Sequence, residues 1–240
     1  MSAAAIAACV ALAGCQAAEP PAESPTTAPL PSYTVVDEPG GVAGCVHDGD
    51  TVLTLGDDPL PRSESLAFGE GESAVILAHQ AGQRPCSWND YGRELAARGF
   101  QVFIPSLTGT PDAVIGAAVV WLRENGVERY ALVGASMGGT YVLAAAPALT
   151  PAPSLVVAIS APTEYAGADA LSAISEIDAP VLLMAGNGDG DFPAQARELA
   201  DAQPNAELLV ATSNAHGIEL RADNAPVAER LDTALADALG

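Results

Sequence analysis

Ser136 lies within the segment GASMG (134–138), which has the form G-x-S-x-G. The apolar run 130–134 precedes this serine and an Ala-rich segment of helical period follows it, so a strand-turn-helix setting is predicted. The two glycines leave room for a sharp turn that exposes the serine hydroxyl at the carboxyl end of a sheet. Because the same turn begins a helix, the backbone N–H of Met137 can stabilise a negatively charged oxygen. The sequence predicts that Ser136 is a nucleophile; the alternative is a Gly-rich turn with an incidental serine.

The chain contains 3 histidines, and a nucleophilic serine needs one of them as a general base. His47 lies in a Gly-rich segment at the entry to the predicted domain, and His79 directly follows the apolar run 74–78. His216 lies in the segment SNAHG, on a loop after the last predicted strand. This position is at the carboxyl end of the sheet, where Ser136 is also expected. It predicts that His216 is the base; the alternative is a surface histidine on a loop.

A histidine base needs a carboxylate that fixes its tautomer and stabilises the imidazolium. The loop after the apolar run 181–185 reads GNGDGDFP and contains Asp189 and Asp191. Glycines at 188 and 190 give this loop the freedom to present either side chain. From the residues alone, both aspartates are candidates for the acid.

The segments GASMGG, PVLLMAGNGDGDFP and AHG resemble the nucleophile, acid and histidine regions of α/β-hydrolases, especially small members similar to dienelactone hydrolase. The resemblance extends from about residue 73 to the C-terminus. In that family the acid often lies three residues after the loop glycine and shortly before a proline. Counted from Gly186, this implies Asp189, with Asp191 as the second candidate. The resemblance implies the α/β-hydrolase fold and hydrolysis of carboxyl esters, thioesters or lactones through an acyl-enzyme.

Residues 79–83, HQAGQ, follow the first buried run and resemble the oxyanion loop of the same family. The resemblance implies that the backbone N–H of Ala81 is a second oxyanion donor, beside that of Met137. The family more often has His-Gly at this point, whereas this chain has Gln80 after His79. The alternative is therefore an ordinary connection from strand to helix.

The rest of the pattern predicts the elements that position these residues. From residue 50 onward, short β-branched runs alternate with Ala-rich segments of helical period, which is typical of an α/β fold with a mostly parallel sheet and helices on both faces. The predicted strands are 51–55, 65–68, 74–78, 101–105, 130–134, 155–159, 181–185 and 207–211. The predicted helices are 89–97, 112–125, 137–146, 168–174, 193–202 and 225–239.

Two departures from the family limit what can be said of the substrate. Dienelactone hydrolases use a cysteine nucleophile where this chain has Ser136, so the lactone substrate is not carried over. Residues 160–180 have space for a loop and one helix and for no large cap domain, so we expect an open site for a small-molecule ester. No metal or organic cofactor is implied, because the triad supplies nucleophile and base and no Cys/His cluster has ligand spacing.

The N-terminal segment carries a second resemblance. Residues 3–14 form an apolar run that ends at Cys15, and LAGC (12–15) resembles a bacterial lipobox. A membrane-spanning helix needs ~20 apolar residues, whereas the apolar region of a signal peptide needs ~7 to 15. The resemblance implies a signal peptide over 1–14 and a lipid on Cys15, which would anchor an exported protein to the extracytoplasmic face of the cell membrane. The chain departs from such signals in having no basic residue ahead of the run, and the alternative is a buried helix with a chance LAGC.

Composition predicts a flexible tether between this segment and the folded domain. Residues 15–42 are rich in Pro, Ala, Ser, Thr and Glu, a composition that buries too little apolar surface to order itself. We therefore expect the domain to occupy residues 43–240. With Cys9 removed and Cys15 lipidated, Cys45 and Cys86 remain as an even pair in an oxidising compartment, which predicts a disulfide. The alternative is two separate buried thiols.

The charge of the chain argues against nucleic acid as a partner. There are 30 acidic residues against 9 basic ones, all arginine, and the formal net charge is -21. A nucleic-acid binder needs a basic surface to displace the counterions of the phosphates. Two alternatives to an esterase stay open: an amidase or peptidase that acts on envelope material, and a catalytically silent binding lipoprotein of the same fold.

The lipobox resemblance leads to a prediction. Cys15→Ala should prevent lipid attachment and release the protein from the membrane fraction, because a soluble domain of this kind has no other predicted anchor. Firm anchoring takes more than one acyl chain, so the expected modification carries several. Mass spectrometry of the N-terminal peptide from the native host measures it, and an unmodified Met1 on the membrane-free protein would contradict the prediction.

Overall fold

The structure, a computed structural model, describes Met1 and residues 31–56 and 63–240. Cys15 and the predicted lipobox lie outside the described residues. The strands are β1 Tyr33–Val35, β2 Thr51–Leu55, β3 Glu64–Phe68, β4 Ser73–Ala78, β5 Gln101–Ile104, β6 Arg129–Ala135, β7 Leu155–Ile159, β8 Glu164–Tyr165, β9 Ala168–Asp169, β10 Val181–Gly186 and β11 Glu207–Ala211. The helices are α1 Asn89–Ala97, α2 Pro111–Glu124, α3 Met137–Ala145, α4 Ala170–Ile174, α5 Phe192–Ala202, α6 Ile218–Asp223 and α7 Ala225–Leu239.

The central sheet has nine strands in the order β1-β2-β3-β5-β4-β6-β7-β10-β11. The pairs β1/β2, β2/β3 and β3/β5 are antiparallel, and all pairs from β5 to β11 are parallel. The middle strands are buried along their full length, which explains why they read as continuous apolar runs rather than alternating ones. The prediction of an α/β fold with a mostly parallel sheet is confirmed.

Apolar side chains cover both faces of the sheet. On one face α1, α6 and α7 pack through Leu95, Leu220 and Leu231, and on the other α2, α3 and α5 pack through Ile115, Val142 and Leu199. These side chains are fully buried. Burial of apolar area stabilises a fold by about 25 cal/mol per Å², and the apolar side chains on the two faces of the sheet supply most of that area.

Capping residues set the starts of several helices. Thr110 precedes α2 and accepts a hydrogen bond from the N–H of Ala113, and Pro111 occupies the first helical position. Asn224 accepts from the N–H of Val227 in the same way at the start of α7. The boundaries predicted for these two helices from the sequence agree with the structure within one residue.

Parallel strands bring the predicted site residues to one edge of the sheet. β4, β6, β10 and β11 end at Ala78, Ala135, Gly186 and Ala211. The oxyanion segment, the nucleophile, the acid loop and the histidine loop follow these four ends in that order. The carboxyl edge of the sheet is therefore where the site must form.

Ordered structure begins earlier than the predicted domain start at residue 43. Tyr33–Val35 pairs with β2 as an antiparallel edge strand, and the Tyr33 ring lies 5.0 Å from that of Phe103. The part of the predicted tether that the structure describes therefore belongs in part to the domain. The composition of residues 15–42 does not predict this strand, because an edge strand of three residues needs few apolar side chains.

Residues 40–50 are fixed to the domain by hydrogen bonds to Glu64, by a disulfide and by Arg93, which also donates to the carbonyl of Cys45 at 3.3 Å. The buried carboxylate of Glu64 accepts the N–H groups of Gly40, Gly41 and Val42 at 2.6 to 3.1 Å. Cys45 and Cys86 form the predicted disulfide, with Cα atoms 5.6 Å apart.

The third interaction is an ion pair. Arg93 on α1 donates to both carboxylate oxygens of Asp50, at 2.7 and 2.5 Å. Burial is the largest single influence and would raise the pKa of Asp50, but the hydrogen bonds from Arg93 and from the N–H of His47, together with the charge of Arg93, outweigh it and hold that pKa below its ordinary value. The guanidinium also lies 3.6 Å from the ring centre of Phe68.

The segment between β7 and β10 contains more structure than the predicted loop and single helix. A short hairpin, β8–β9, precedes α4, and its turn places Ala166 at a φ of 49°. The expectation that no large cap domain lies here is consistent with these elements. The six-residue helix α6 was also missed, since it is too short to show a clear period. No helix among the described residues is both long enough and apolar enough to span a bilayer.

The disulfide leads to a stability prediction. Replacing both cysteines (Cys45→Ser with Cys86→Ser) should lower the free energy of unfolding by about 3 to 4 kcal/mol, because the bridge closes a loop between residues 41 positions apart. Urea denaturation of both proteins measures the difference. Peptide mapping without reductant is the control, and recovery of unlinked Cys45 and Cys86 peptides would contradict the pairing.

Candidate active site

Ser136 occupies a strained turn between β6 and α3. Its backbone has φ 50° and ψ -118°, a conformation that residues with a side chain rarely adopt. Its N–H donates to the carbonyl of Ile159 at 2.8 Å, and its carbonyl accepts from the N–H of Thr140 at 3.1 Å. These bonds hold the serine between β7 and the first turn of α3, at the position that the sequence predicts.

The two glycines of the turn are required by close packing. A Cβ on Gly134 would lie 2.2 Å from the carbonyl oxygen of Gly138. A Cβ on Gly138 would lie 2.2 Å from the carbonyl oxygen of Ala78, at the end of β4. Both glycines have an ordinary negative φ, so the need is for space and not for a left-handed backbone. Helix α3 consequently starts in direct contact with the segment that follows β4.

His216 and Asp189 are brought together. Nδ1 of His216 lies 2.9 Å from Oδ2 and 3.1 Å from Oδ1 of Asp189. The carboxylate is buried, with 8% of its side chain exposed, whereas 31% of the histidine side chain is exposed. The Phe192 ring packs 4.3 Å from the imidazole centre. With Nδ1 bound to the carboxylate, Nε2 is the nitrogen left for proton transfer.

Asp191 takes a different place. It is exposed and is the residue before α5, where its carbonyl accepts from the N–H groups of Ala194 and Gln195. No hydrogen bond or ion pair joins its side chain to another described residue. Of the two aspartates that the sequence offered, Asp189 is the one in contact with His216.

The acid loop and the histidine loop pack directly on each other. A Cβ on Gly188 would lie 1.8 Å from Oδ1 of Asn214, so a larger residue there would displace the Asn214 side chain. The N–H of Gly188 donates to the carbonyl of Ser213 at 2.9 Å, and Oδ1 of Asn187 accepts from the N–H of Ser213 at 3.2 Å. These bonds fix the separation of Asp189 and His216.

The histidine loop also lies against the nucleophile turn. A Cβ on Gly217 would approach the Cβ of Ala135 to 3.4 Å, which places the neighbour of His216 beside the neighbour of Ser136. Among the described residues, no hydrogen bond joins the Ser136 hydroxyl to His216 or to any other group. Such a bond is often long before substrate binds.

Ser160 is a supporting residue that the sequence did not indicate. It follows β7, is fully buried and has a φ of 50°. Its hydroxyl accepts from the N–H of Gly217 at 3.1 Å, and its own N–H donates to the carbonyl of Met184 at 2.7 Å. The sequence shows only that Ser160 follows a predicted strand. Many serines do so, and this position therefore does not identify a supporting residue.

His79 is excluded as the base by its surroundings. It is buried, and burial lowers the pKa of its imidazole, which favours the neutral form. Nε2 accepts from the N–H of Leu107 at 3.4 Å, and Nδ1 lies 3.0 Å from the carbonyl oxygen of Gln80. Nδ1 therefore carries the proton and donates it to that carbonyl. Both ring nitrogens serve to fix the segment that follows β4.

Ala81 and Met137 present two unpaired backbone donors near this segment. Ala81 is exposed, and Met137 begins α3 at the turn of Ser136. Neither N–H has a hydrogen-bond partner within the described ranges. A cavity of about 230 Å³ lies beside Met137, between His79 on one side and Leu107 and Thr108 on the other. Met137, the residue after Ser136, is part of its lining.

A second hollow of about 440 Å³ lies on the hairpin side, lined by Tyr141 of α3, residues 109–112 and residues 166–169. Tyr141 packs with Met137 and Ala168 in one small apolar cluster. The hairpin β8–β9 therefore forms one wall of the region around the nucleophile.

No family model matches the chain, and no curated protein matches it. Solved structures do. The esterase domain of a Rhodothermus marinus protein aligns with a TM-score of 0.61 and 19% identity, over 74% of this chain and 93% of that chain. The enol-lactonase from Burkholderia xenovorans LB400 aligns with a TM-score of 0.61 and 16% identity, over 72% and 96%. The thioesterase domain from the curacin biosynthetic pathway aligns with a TM-score of 0.55 and 13% identity, over 85% and 99%. At these identities the likeness shows the fold, which is the α/β-hydrolase fold.

The Asp189–His216 contact leads to a pair of mutations. Asp189→Asn should lower kcat by up to about 10⁴-fold, because an amide at this position favours the wrong imidazole tautomer. Asp191→Asn removes an exposed charge two residues away and should change kcat by less than about tenfold. Both variants are assayed on one activated ester, with circular dichroism to check the fold. A crippled Asp191→Asn beside a nearly normal Asp189→Asn would assign the acid to position 191.

Proposed function

We propose that this chain is a serine hydrolase that cleaves carboxyl esters, thioesters or lactones through an acyl-enzyme. The observation that carries the proposal is the contact between His216 and the buried carboxylate of Asp189, on a loop packed against the strained turn of Ser136. An esterase domain, an enol-lactonase and a thioesterase domain share the fold, which supports acyl transfer as the chemistry.

The proposed reaction starts with attack of Ser136 Oγ on the substrate carbonyl carbon. Nε2 of His216 takes the hydroxyl proton as the bond forms, and the Asp189 carboxylate stabilises the resulting imidazolium. The carbonyl oxygen becomes an oxyanion, and the free N–H groups of Met137 and Ala81 would stabilise it by donating hydrogen bonds. The partial positive charge at the start of α3 adds to this stabilisation.

Collapse of the tetrahedral intermediate breaks the bond to the leaving group. His216 returns its proton to the leaving oxygen or sulfur, and the acyl group stays on Ser136. A water molecule then attacks the acyl carbonyl as His216 takes its proton, and the second tetrahedral intermediate collapses with return of that proton to Ser136 Oγ, which releases the carboxylic acid. His216 carries every proton transferred in this cycle, and the two N–H groups only stabilise the oxyanions.

The surroundings of Ser136 favour a short acyl group. The cavity beside Met137 has about 230 Å³, which is below the ~300 to 1,000 Å³ of typical sites for larger ligands. On the other side, the hairpin β8–β9 and the five-residue helix α4 take the place where a cap domain would lie. Little protein therefore surrounds the leaving group of the substrate. We propose that the enzyme accepts leaving groups of many sizes.

For its location we propose the extracytoplasmic face of the cell membrane, reached by lipid on Cys15. The sequence resemblance over residues 12–15 carries this part of the proposal. The Cys45–Cys86 disulfide supports it, since such bonds persist in oxidising compartments.

The nucleophile is tested by Ser136→Ala. This variant should lose labelling by a fluorophosphonate probe and lower ester turnover by about 10⁴-fold or more, because the attacking atom is absent. Ser175→Ala, which removes an exposed hydroxyl after α4, is the matched control and should behave as the wild type. p-Nitrophenyl esters of increasing acyl length should be cleaved fastest at the shortest lengths.

Each alternative function has its own outcome in this experiment. Labelling that persists in Ser136→Ala would assign the nucleophile elsewhere. Faster cleavage of amides than of matched esters would favour the amidase, and a wild type that neither labels nor turns over would favour a binding protein.

A further inference from the structure

We propose that Gln80 is a positioning residue that joins the loop of His216 to the oxyanion segment, so that base and oxyanion donor move as one unit. The inference rests on the proposed hydrolase function. Gln80 is the residue at which the sequence departs from the His-Gly of the resembling family, and its side chain makes contacts that a glycine could not make.

Both ends of the Gln80 amide are used by the histidine loop. Oε1 accepts from the N–H of Ile218 at 2.9 Å, and Nε2 donates to Oε2 of Glu219 at 3.1 Å. A backbone N–H can only donate and a carboxylate can only accept, so these two partners fix the orientation of the amide. A flipped amide would lose both bonds.

The backbone of Gln80 is held just as firmly from its own side. Its carbonyl accepts from the N–H of Gln83 at 3.2 Å and lies 3.0 Å from Nδ1 of His79. His79 is in turn bound by the N–H of Leu107. The side chain therefore extends from a fixed point, next to Ala81, to the loop that carries His216.

Gly217 gives independent support for this contact. Its φ is 57°, and a Cβ at this position would lie 2.1 Å from Oε1 of Gln80. The positive φ favours glycine here, and a side chain would also push the Gln80 amide out of its present place. The next two amides after His216 donate in different directions, that of Gly217 to Ser160 and that of Ile218 to Gln80.

Among the supports of His216 and its loop, one comes from the side of Ala81. Asp189 holds Nδ1, Ser160 holds the loop from β7, and Gln80 holds it from the segment of Ala81. Attack on a carbonyl requires the base and the oxyanion donors at fixed separations, and a misplacement of about 1 Å can cost about 10²-fold in rate. Gln80 adds a direct side-chain link between the segment of Ala81 and the first residues after Gly217.

The first variant is Gln80→Ala. We expect kcat to fall about 10- to 100-fold, counted per site labelled by the fluorophosphonate probe, with KM within about threefold of the wild type. Hydrogen exchange should show faster exchange of the Gly217 amide as well as that of Ile218. Gly217 is bound to Ser160 rather than to Gln80, so its exchange reports release of the whole loop.

Gln203→Ala is the matched control. The Gln203 side chain is buried and donates to the carbonyls of Ile174 and Ile177, so it also joins two segments, but it precedes β11 and touches no site residue. We expect a lower melting temperature with kcat and Gly217 exchange unchanged. A purely structural role for Gln80 would give the same result as this control.

The double variant Gln80→Glu with Glu219→Gln exchanges the two partners. The new carboxylate still accepts from the N–H of Ile218 and now also accepts from the new amide at 219. We expect Gln80→Glu alone to lower kcat, because two carboxylates then face each other, and the double variant to restore at least half of the wild-type kcat. Restoration by a reversed hydrogen bond is not expected of a residue that only fills space.

Two results would overturn the proposal: kcat of Gln80→Ala within about twofold of the wild type, or Gly217 exchange that stays at the wild-type rate. Failure of the proposed function is a separate outcome, in which the wild type neither labels nor hydrolyses. If the wild type is inactive, hydrogen exchange of the Gly217 amide still shows whether Gln80 holds the loop of His216, because this measurement needs no substrate.

Discussion

The approach of α3 to β4 is the constraint on which the rest of the site depends. Gly138 lies against the carbonyl of Ala78 with no space for a Cβ, and Gly134 lies against Gly138 in the same way. These two contacts start α3 beside the segment that follows β4, with Ser136 at its positive φ between the two glycines. They bring together Ser136, the start of the helix dipole and residues 79–83. Strain of this kind persists only where the surrounding structure fixes it, and here the sheet does so on both sides.

Asp189 and His216 are positioned by contacts between two loops rather than by close packing of glycines. They lie on two loops that follow neighbouring parallel strands, β10 and β11, and the loops bind each other through Asn187, Gly188 and Ser213. These bonds limit the freedom in the separation of Asp189 and His216. β10 is buried along its whole length and holds β11, the partly exposed edge strand, by parallel pairing, so both loops start from the sheet.

Much of the fold follows from sequence because local pattern and tertiary burial agree. The runs that became β4, β6, β7 and β10 are apolar throughout, and both faces of each are covered. The sequence does not predict β1 because this short edge strand gains its order from pairing with β2 and from packing of Tyr33 on Phe103, neither of which its own composition reveals. Of the site residues, Ser136 and His216 could be named from motif and position, and Asp189 needed the family count. Ser160 and the side chain of Gln80 could not, since their partners lie 57 and 138 positions away in the chain.

The fastening of residues 40–50 determines how the domain responds to tension applied at its N-terminal end. A pull there would first peel β1 from β2, and next break the bonds from Gly40, Gly41 and Val42 to Glu64. It would then reach Cys45, where the covalent link to Cys86 transfers the load to the start of α1 and bypasses β2 and β3. The mechanical path therefore enters the domain at Cys86, three residues after the segment 79–83. A tug on the leading segment would separate one short strand and the Glu64 bonds before any load reached the chain beside Ala81.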